Sequence, residues 1–335
     1  MIKWIARVWL VGLLAACAGP QAHARSAGAE VAAIDADFPD PAVTRASDGY
    51  YYAYATQSVR QTGTINIQAA RSRNLVAWQQ LGNALPAKPR WASRTQEFWV
   101  PHVTAHDGRY FLYYSAKPDA ALDDPKRGLC LAVATAMRPE GPFADMGHPL
   151  VCGEGFVNID PMAFDDPATG RRLLYWGSGF GPIKVQELAA DRLSFAPGSA
   201  PVDLVEVVKT DDPANYRRLV EGAWVMRRAG WYYLFFSGDN CCGPQAHYAV
   251  MVARSRSAIG PFVVKPGHGG VILEADSHWI APGHNSTIRL RGIDRIVYHA
   301  VDVNRSRTQE SDDVNARRVM LIRNLVWRGG WPELP

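Results

Sequence analysis

Hydrophobic residues in this chain fall in short runs that are rich in aromatic and β-branched side chains. One run, an aromatic stretch ending in small residues, occurs as YYYAYA (50–55), YFLYYSA (110–116), RLLYWGS (172–178), YYLFFSG (232–238) and RIVYHAV (295–301). Taking Tyr52, Tyr113, Tyr175, Phe235 and Tyr298 as equivalent, the intervals are 61, 62, 60 and 63 residues. Such runs, separated by turn signals such as Asp107-Gly108 and Gly260-Pro261, are typical of β-strands.

A second short run follows each aromatic run and keeps the same period. These runs read INIQAARS, LCLAVAT, IKVQEL, YAVMVARS and RRVMLIR. Five repeats of about 60 residues account for most of the chain after Ala24, so no second domain is expected. A radial array of four-stranded sheets fits this repeat, and we predict an all-β, five-bladed β-propeller over residues 33–335. A β-sandwich or several small β domains would not explain an interval that two runs share.

The N-terminus has the pattern of an export signal. Lys3 and Arg7 precede an apolar run, 8–16, that is shorter than the roughly 20 residues a membrane-spanning helix needs. The signal has two possible ends. Cleavage at the A-x-A site 22–24 would give a periplasmic or secreted protein. Cleavage before Cys17, in the lipobox-like sequence LAAC, would give a protein anchored by lipid on Cys17. The alternative is a buried N-terminal helix.

The net charge and the cysteine pattern argue against two classes of site, a nucleic-acid-binding surface and a structural zinc site. The net charge of +4, or +2 without residues 1–24, argues against a nucleic-acid-binding surface, and no protein partner is indicated. The chain has no C-x-x-C pair, so a structural zinc site is not expected. Export permits disulfides, and Cys130 with Cys152 is a plausible pair. The adjacent Cys241 and Cys242 could bond to each other or remain thiols.

A polar residue stands near the start of each repeat, again with the same period. The segments are FPDP (38–41), FWVPH (98–102), NIDP (158–161), VEGAW (220–224) and APGHN (281–285), with Asp40, His102, Asp160, Glu221 and His284 as their polar residues. Equivalent positions near the innermost strands of a propeller converge on its axis, so these side chains should face one pocket. Clustered carboxylates raise at least one pKa, which suits chemistry that needs one protonated and one ionised carboxyl group. Hydrolysis of glycosidic bonds uses such a pair.

Each of these residues also has a structural interpretation. An Asp before Pro, as at Asp40 and Asp160, is a common turn element. Glu221 could be a solvated loop charge, and His284 could be a core histidine. The shared period favours the joint functional interpretation.

At these segments the sequence resembles glycoside hydrolase family 43 over nearly the whole mature chain. The matching motifs are FPDP at 38–41, WVPHV at 99–103, NIDP at 158–161, the EG pair at 221–222 and PGHN at 282–285. The resemblance implies a five-bladed propeller with Asp40 as general base, Glu221 as general acid and Asp160 as the residue that tunes and orients the acid. It also implies inversion, for which the two catalytic carboxyl groups should lie roughly 6.5–9.5 Å apart.

Two further stretches resemble the arabinan-cleaving members of this family. They are SGDNCCGPQAHYAVMVARS (237–255), and HWIAPGHNS (278–286) together with NLVWRGGWP (324–332). In those relatives the histidine matching His284 lies beside a calcium ion or ordered water. Since calcium prefers oxygen ligands, Ca²⁺ near His284 would be held mostly through water.

The segments that depart from the endo-acting relatives leave the mode of cleavage open. The stretch 174–188 lacks the tryptophan of their GSFWxGI segment and has Phe180 nearby, and EGAW (221–224) is closer to exo-acting relatives. The residues expected to contact substrate are Trp99, His102, Asn158, Phe180 and His284. Phe38 and Trp224 are further candidates for stacking on sugar, with a core position as the alternative.

These observations predict an exported, inverting glycosidase that cleaves α-L-arabinofuranosyl linkages in arabinan or arabinoxylan, in endo or exo mode. Its partner would be a plant cell-wall polysaccharide or oligosaccharide, which suits a nearly neutral protein. The alternatives are a β-xylosidase of the same family and a noncatalytic carbohydrate-binding propeller.

Overall fold

The computed structural model describes Met1 and residues 31–60, 63–243, 245–304 and 317–335. Residues Ala32–Pro335 form one compact unit, and of the other unit, Met1–Val31, only the two end residues are described. The predicted signal segment, both of its predicted ends and Cys17 lie outside the described residues. No helix in the described part of the chain is long and apolar enough to cross a membrane.

Antiparallel sheets follow one another along the chain, beginning with two that contain the first two aromatic runs. The first sheet has strands β1 (Ala42–Arg45), β2 (Tyr51–Ala55), β5 (Gln68–Ser72) and β6 (Gln79–Asn83), and the hairpin β3 (Ser58–Arg60) and β4 (Gly63–Ile65) leaves it between β2 and β5. A 3₁₀ turn at Arg90–Ala92 leads to the second sheet: β7 (Phe98–His106), β8 (Arg109–Ala116), β9 (Cys130–Ala136), β10 (Ala144–Asp145) and β11 (Val151–Cys152). The short helix α1 (Ala120–Asp123) joins β8 to β9.

The remaining sheets repeat this arrangement. The third has β12 (Met162–Asp165), β13 (Arg172–Trp176), β14 (Ile183–Glu187) and β15 (Val202–Val205). After a 3₁₀ turn at Tyr216–Arg218, the fourth has β16 (Glu221–Arg228), β17 (Trp231–Asn240), β18 (His247–Ser255), β19 (Val263–Val264) and, after another 3₁₀ turn at His268–Gly270, β20 (Val271–Leu273). The fifth has β21 (Trp279–Leu290), β22 (Ile293–Asp302) and β23 (Arg318–Asn324), followed by the hairpin β24 (Val326–Arg328) and β25 (Trp331–Glu333).

The first strands of these sheets surround a central axis. Each of β1, β7, β12, β16 and β21 contacts the next, and β21 contacts β1 again. Within the described residues the fold is therefore a five-bladed β-propeller, as the repeat predicts. The aromatic runs form the second strand of each blade and the runs that follow them form the third.

Buried aromatic side chains fill the space between neighbouring blades. The five marker residues Tyr52, Tyr113, Tyr175, Phe235 and Tyr298 are each at most 1% exposed. Tyrosine hydroxyls from three successive blades each donate to a carbonyl of the next blade: Tyr54 to Pro139, Tyr113 to Arg192 and Tyr175 to Ala258, at 2.6, 2.8 and 2.6 Å. These hydroxyls are satisfied although they are buried, so the aromatic rings can pack in the core without leaving an unpaired polar group.

The start of the described chain completes the last blade. Backbone N–H groups of Ala33 and Ile34 donate to the carbonyl of Met320, and that of Phe38 donates to the carbonyl of Arg318. Hydrogen bonds between the two ends of the propeller therefore close the ring of blades.

Both cysteine pairs form disulfides. Cys130 and Cys152 join β9 to β11, as the sequence suggests. Cys241 and Cys242 bond to each other in the loop that connects β17 to β18, which decides between the two alternatives that the sequence leaves open.

Candidate active site

Backbone hydrogen bonds between blades hold the predicted site residues at the axis. The N–H groups of Asp40, Val100, Asp160 and His284 donate to His299 Nδ1, Thr56 Oγ1, Ser115 Oγ and Ser237 Oγ, respectively, at 2.9–3.2 Å. All four donor residues have positive φ angles, between 47° and 64°. Residues other than glycine rarely adopt this backbone conformation. Its occurrence at four positions around the axis indicates a functional or strongly constrained site.

Asp40 lies among positive and hydrogen-bonding groups. Thr56 Oγ1 donates to its Oδ2 at 2.5 Å, and Arg318 Nη1 lies 3.3 Å from its Oδ1. The Nδ1 atoms of His299 and His284 lie 3.3 and 3.7 Å from the same Oδ1. Burial alone would raise the pKa of Asp40, but Arg318, followed by His284 and His299, lowers the pKa well below its ordinary value. Asp40 is therefore ionised at neutral pH.

Asp160 is buried near other carboxyl groups, whereas Asp40 is buried beside an arginine. Its Oδ2 accepts the backbone N–H of Gly222 at 2.8 Å and lies 3.9 Å from His284 Nδ1. Burial, together with the negative charges of Glu221 and Asp40, raises the pKa of Asp160 well above its ordinary value. Its hydrogen bond to Gly222 also fixes the backbone directly after Glu221.

Glu221 is held by two hydroxyl groups. Ser178 Oγ donates to Oε2 at 2.6 Å and the Tyr248 hydroxyl donates to Oε1 at 2.7 Å. Burial raises the pKa of Glu221, and the Asp40 charge adds to this, while the two hydrogen bonds partly oppose the shift. Asp40 and Glu221 therefore have pKa values moved in opposite directions, which is the environment that assigns two carboxyl groups to base and acid roles.

The two predicted histidines face the same axial cavity as the aspartates. This cavity is lined by Asp40, His102, Asp160, Trp224, His284 and Asn285, among others. Burial lowers the pKa of His102 to about 3 and that of His284 to about 4, so both imidazoles are neutral at pH 7. His102 accepts the N–H of Ala163 through Nδ1 at 3.1 Å and packs against Trp224, which gives it a structural role as well.

The described side chains do not form a direct calcium cage. No group of three or more His, Cys, Asp or Glu residues within them could hold a metal ion. What the cavity offers is His284 and the Asn285 amide, whose Oδ1 and Nδ2 are buried without a hydrogen-bond partner in the described structure. Any Ca²⁺ here would need water for most of its coordination.

The aromatic candidates occupy different environments. Phe38 is 1% exposed and lies in the core. Trp224 is also buried, and its Nε1 donates to Thr287 Oγ1 at 2.9 Å. Trp99 is half-buried and stacks on Phe156 with 5.8 Å between ring centroids, while Phe156 and Phe180 are largely exposed. Trp99, Phe156 and Phe180 are thus available to a ligand.

Asn158 has a structural partner. It is buried, and its Oδ1 accepts the Trp176 Nε1–H at 3.1 Å. Its contact with substrate remains a prediction.

Sequence reasoning missed polar residues that contact Asp40 and Glu221. They are Thr56, Ser178, Tyr248, His299 and Arg318, and Phe156 is a further missed neighbour of Trp99. Ser178 and His299 lie in the aromatic runs, and Tyr248 and Arg318 lie in the runs that follow. A search for polar residues at the ends of those runs, and not only at the head of each repeat, could have found four of them.

Comparison with known proteins places the chain in a family. Residues 32–332 match the profile of glycosyl hydrolases family 43. The chain is 26% identical to the extracellular exo-α-(1→5)-L-arabinofuranosidase ArbA of Cellvibrio japonicus, over 97% of this chain and 92% of that protein. It is 31% identical to the β-D-galactofuranosidase xynD of Aspergillus niger, over 89% of this chain and 82% of that protein.

Solved structures share the propeller. The α-L-arabinanase of Cellvibrio cellulosa in complex with arabinohexaose superposes with a TM-score of 0.72 at 24% identity, covering 91% of this chain and 96% of that one. Since the profile match spans nearly all of the propeller, including every head segment, the chain belongs to glycosyl hydrolases family 43.

Proposed function

We propose that the protein hydrolyses α-L-arabinofuranosyl linkages with inversion, using Glu221 as general acid, Asp40 as general base and Asp160 to orient the acid. The observation that carries this proposal is the contrast between two buried carboxyl groups: Asp40 lies 3.3 Å from Arg318 Nη1, whereas Glu221 is held by the Ser178 and Tyr248 hydroxyls. Asp40 is ionised beside Arg318, whereas burial favours the protonated form of Glu221. A noncatalytic binding propeller would have no need of this arrangement.

In this mechanism two proton transfers accompany one displacement. Glu221 donates its proton to the glycosidic oxygen as the bond from that oxygen to the anomeric carbon breaks. A water molecule attacks the opposite face of the anomeric carbon, and Asp40 takes its proton. Asp160 acts through its hydrogen bond to the Gly222 N–H, which holds the backbone of the neighbouring acid in place.

The substrate class rests on the relatives and on the exposed rings. The ArbA relative is named for exo-acting cleavage of α-(1→5)-linked arabinofuranose, and a structural neighbour binds arabinohexaose. The half-buried Trp99 and the exposed Phe156 and Phe180 offer flat apolar surfaces of the kind that stack on sugar rings. We therefore propose plant arabinan or arabinoxylan, or oligosaccharides derived from them, as the substrate.

A second candidate is hydrolysis of β-D-galactofuranosyl linkages. It is favoured by the 31% identity to xynD, a named galactofuranosidase. Both candidates share a five-membered sugar ring and the same acid–base pair. The β-xylosidase alternative has the same pair with a six-membered ring.

We also propose that the protein is exported. The ArbA relative is named as extracellular, and residues 1–24 have the pattern of a secretory signal. Mass spectrometry of the mature protein from its natural host would distinguish cleavage after Ala24 from a lipid on Cys17.

Product analysis tests the proposed function. The purified protein would be incubated with linear arabinan, arabinoxylan, and the nitrophenyl glycosides of α-L-arabinofuranose, β-D-galactofuranose and β-D-xylose. We expect release of arabinose from arabinan and turnover of the arabinofuranoside, with single arabinose units indicating exo action and oligomers indicating endo action. Turnover of only the galactofuranoside or the xyloside would transfer the assignment to that sugar, and no turnover of any substrate would contradict it.

A further inference from the structure

The Cys241–Cys242 disulfide lies beside the residue that ionises Asp40. Arg318 Nη1 donates to Cys242 Sγ at 3.8 Å and to Asp40 Oδ1 at 3.3 Å. Both cysteines are half-buried, whereas the side chains of Arg318 and Asp40 are 13% and 9% exposed. The disulfide therefore touches the Arg318 guanidinium group where that group meets the carboxylate.

Within the described residues, the Arg318 guanidinium group is held to Asp40 and Cys242 through a single nitrogen, Nη1. Its contact with Asp40 uses a single nitrogen, and its Nε is buried without a hydrogen-bond partner among the described atoms. A paired two-nitrogen contact would fix the plane of the group, and a contact through one nitrogen does not. A further neighbour is therefore needed to fix the position of the Arg318 guanidinium group.

A disulfide between adjacent residues suits that purpose. It closes a small ring through the peptide bond between the two cysteines, so neither side chain can change rotamer independently. Here the ring lies in the loop between β17 and β18, and the same hairpin carries Tyr248, which donates to Glu221. One hairpin thus contacts both carboxyl groups, through Tyr248 on one side and through Arg318 on the other.

We propose that the Cys241–Cys242 disulfide is a positioning element that holds Arg318 against Asp40. It acts through Arg318 and not by contact with the reacting atoms. The proposal rests on the proposed function, because Asp40 is the base of that mechanism. Loss of the disulfide should lower the rate of the chemical step more than it weakens substrate binding.

The first test is a pair of matched serine variants. The double variant C241S/C242S removes the disulfide beside Arg318, and C130S/C152S removes the one between β9 and β11 as the control. For C241S/C242S we expect kcat to fall about ten- to a hundredfold, the scale of a small misplacement of a catalytic group, with KM within about twofold. The control should keep its kcat. An unchanged kcat, or a higher KM alone, would overturn the proposal.

The second test asks whether the disulfide acts through Arg318. If it does, adding C241S/C242S to R318M should lower kcat no further than R318M alone, because the two changes remove the same interaction. Losses that multiply would mean that the disulfide acts independently of Arg318 and would overturn the proposal.

Chemical reduction covers the case in which C241S/C242S does not fold. In the C130S/C152S protein a dithiol reduces only the Cys241–Cys242 bond: the dithiol is oxidised to its cyclic disulfide and the two cysteines become thiols. We expect kcat to fall on reduction and to return when the dithiol is removed and added glutathione disulfide oxidises the two thiols, itself being reduced to glutathione. Full activity in the reduced protein would contradict the proposal.

A crystal structure separates this inference from the proposed function, since it needs no turnover. In C241S/C242S, or in the reduced protein, the Arg318 guanidinium group should leave Asp40 or become disordered. If it keeps its 3.3 Å contact, the inference fails whatever the enzyme hydrolyses. Inactive wild-type protein would instead count against the function alone.

Discussion

Asp40 and Glu221 carry the same functional group, and their neighbours decide which of them holds a proton. Arg318 stabilises the charged form of Asp40 against the cost of burial. Among the described residues, the side-chain donors to Glu221 are the two hydroxyl groups of Ser178 and Tyr248, and burial keeps the pKa of Glu221 raised. The difference in roles therefore arises from contacts a few ångströms away and not from the carboxyl groups themselves.

Replacing the proposed acid should affect poor leaving groups most. Glu221→Gln cannot protonate the departing oxygen, so we expect kcat on arabinan to fall by about 10²–10⁴, the usual contribution of a general acid. A nitrophenyl arabinofuranoside, whose leaving group needs little protonation, should lose much less. Rates on both substrates provide the measurement, with the exposed Glu206→Gln as control. Equal losses on the two substrates would argue against the acid role.

Tyr248 should set the alkaline limb of the pH profile. Its hydroxyl donates to Glu221 and thereby favours the charged carboxylate, so it lowers the pKa of Glu221. In Tyr248→Phe that pKa should rise, Glu221 should stay protonated to higher pH, and the alkaline limb of kcat should move upward. A pH–rate profile of both proteins measures this. A limb that stays in place or moves to lower pH would contradict it.

The three carboxyl groups could be predicted from the sequence because the blade repeat places them at equivalent positions. Asp40, Asp160 and Glu221 share one period with the strands. Arg318 could not be assigned to Asp40 in this way, because it begins β23, far away in sequence, and meets Asp40 only when the ring of blades closes. The pairing of Tyr248 with Glu221 likewise depends on how far the β17–β18 hairpin extends.

At the scale of elements, each blade is attached to its neighbour where the site residues lie. Thr56, Ser115, Ser237 and His299 accept backbone N–H groups from the head of the following blade. The strands themselves were predictable, because their aromatic and β-branched runs repeat. These joints were not, because the sequence does not show which backbone N–H group each of these polar side chains accepts.

Removing one of these acceptors should cost both stability and activity. Ser115→Ala leaves the buried Asp160 N–H without a partner, which we expect to lower the free energy of unfolding by about 1–3 kcal/mol. Activity should also fall, because Asp160 would lose its fixed position. Denaturant unfolding and kcat measure the two effects, with the exposed Ser194→Ala as control. Wild-type values for both would show that this joint is dispensable.

At the scale of the whole molecule, the ring is closed by the segment that precedes the first blade, residues 33–38. Residues 33–38 pair with β23, so the segment directly before Asp40 is anchored to the strand that begins with Arg318. The segment that closes the propeller therefore also leads directly into the proposed base. The repeat predicted the blades, but it could not show which segment closes them, because residues 33–38 lack the strand pattern of the other blades.

Calcium bound near His284 would be detectable in the intact protein. A metal held in the axial cavity mainly through water would stabilise the folded state that binds it. Prolonged dialysis against a chelator should then lower the melting temperature or the activity, and added Ca²⁺ should restore them. Identical values before and after dialysis would count against the ion near His284.

The stereochemistry of the first product tests the central claim most directly. Time-resolved proton NMR of arabino-oligosaccharide hydrolysis shows which sugar is released and in which anomeric form before the two forms equilibrate. With Asp40 activating water and Glu221 protonating the leaving oxygen, α-linked arabinofuranose should appear first as the β-anomer. Release of the α-anomer first would mean retention, and would contradict the roles proposed for this pair.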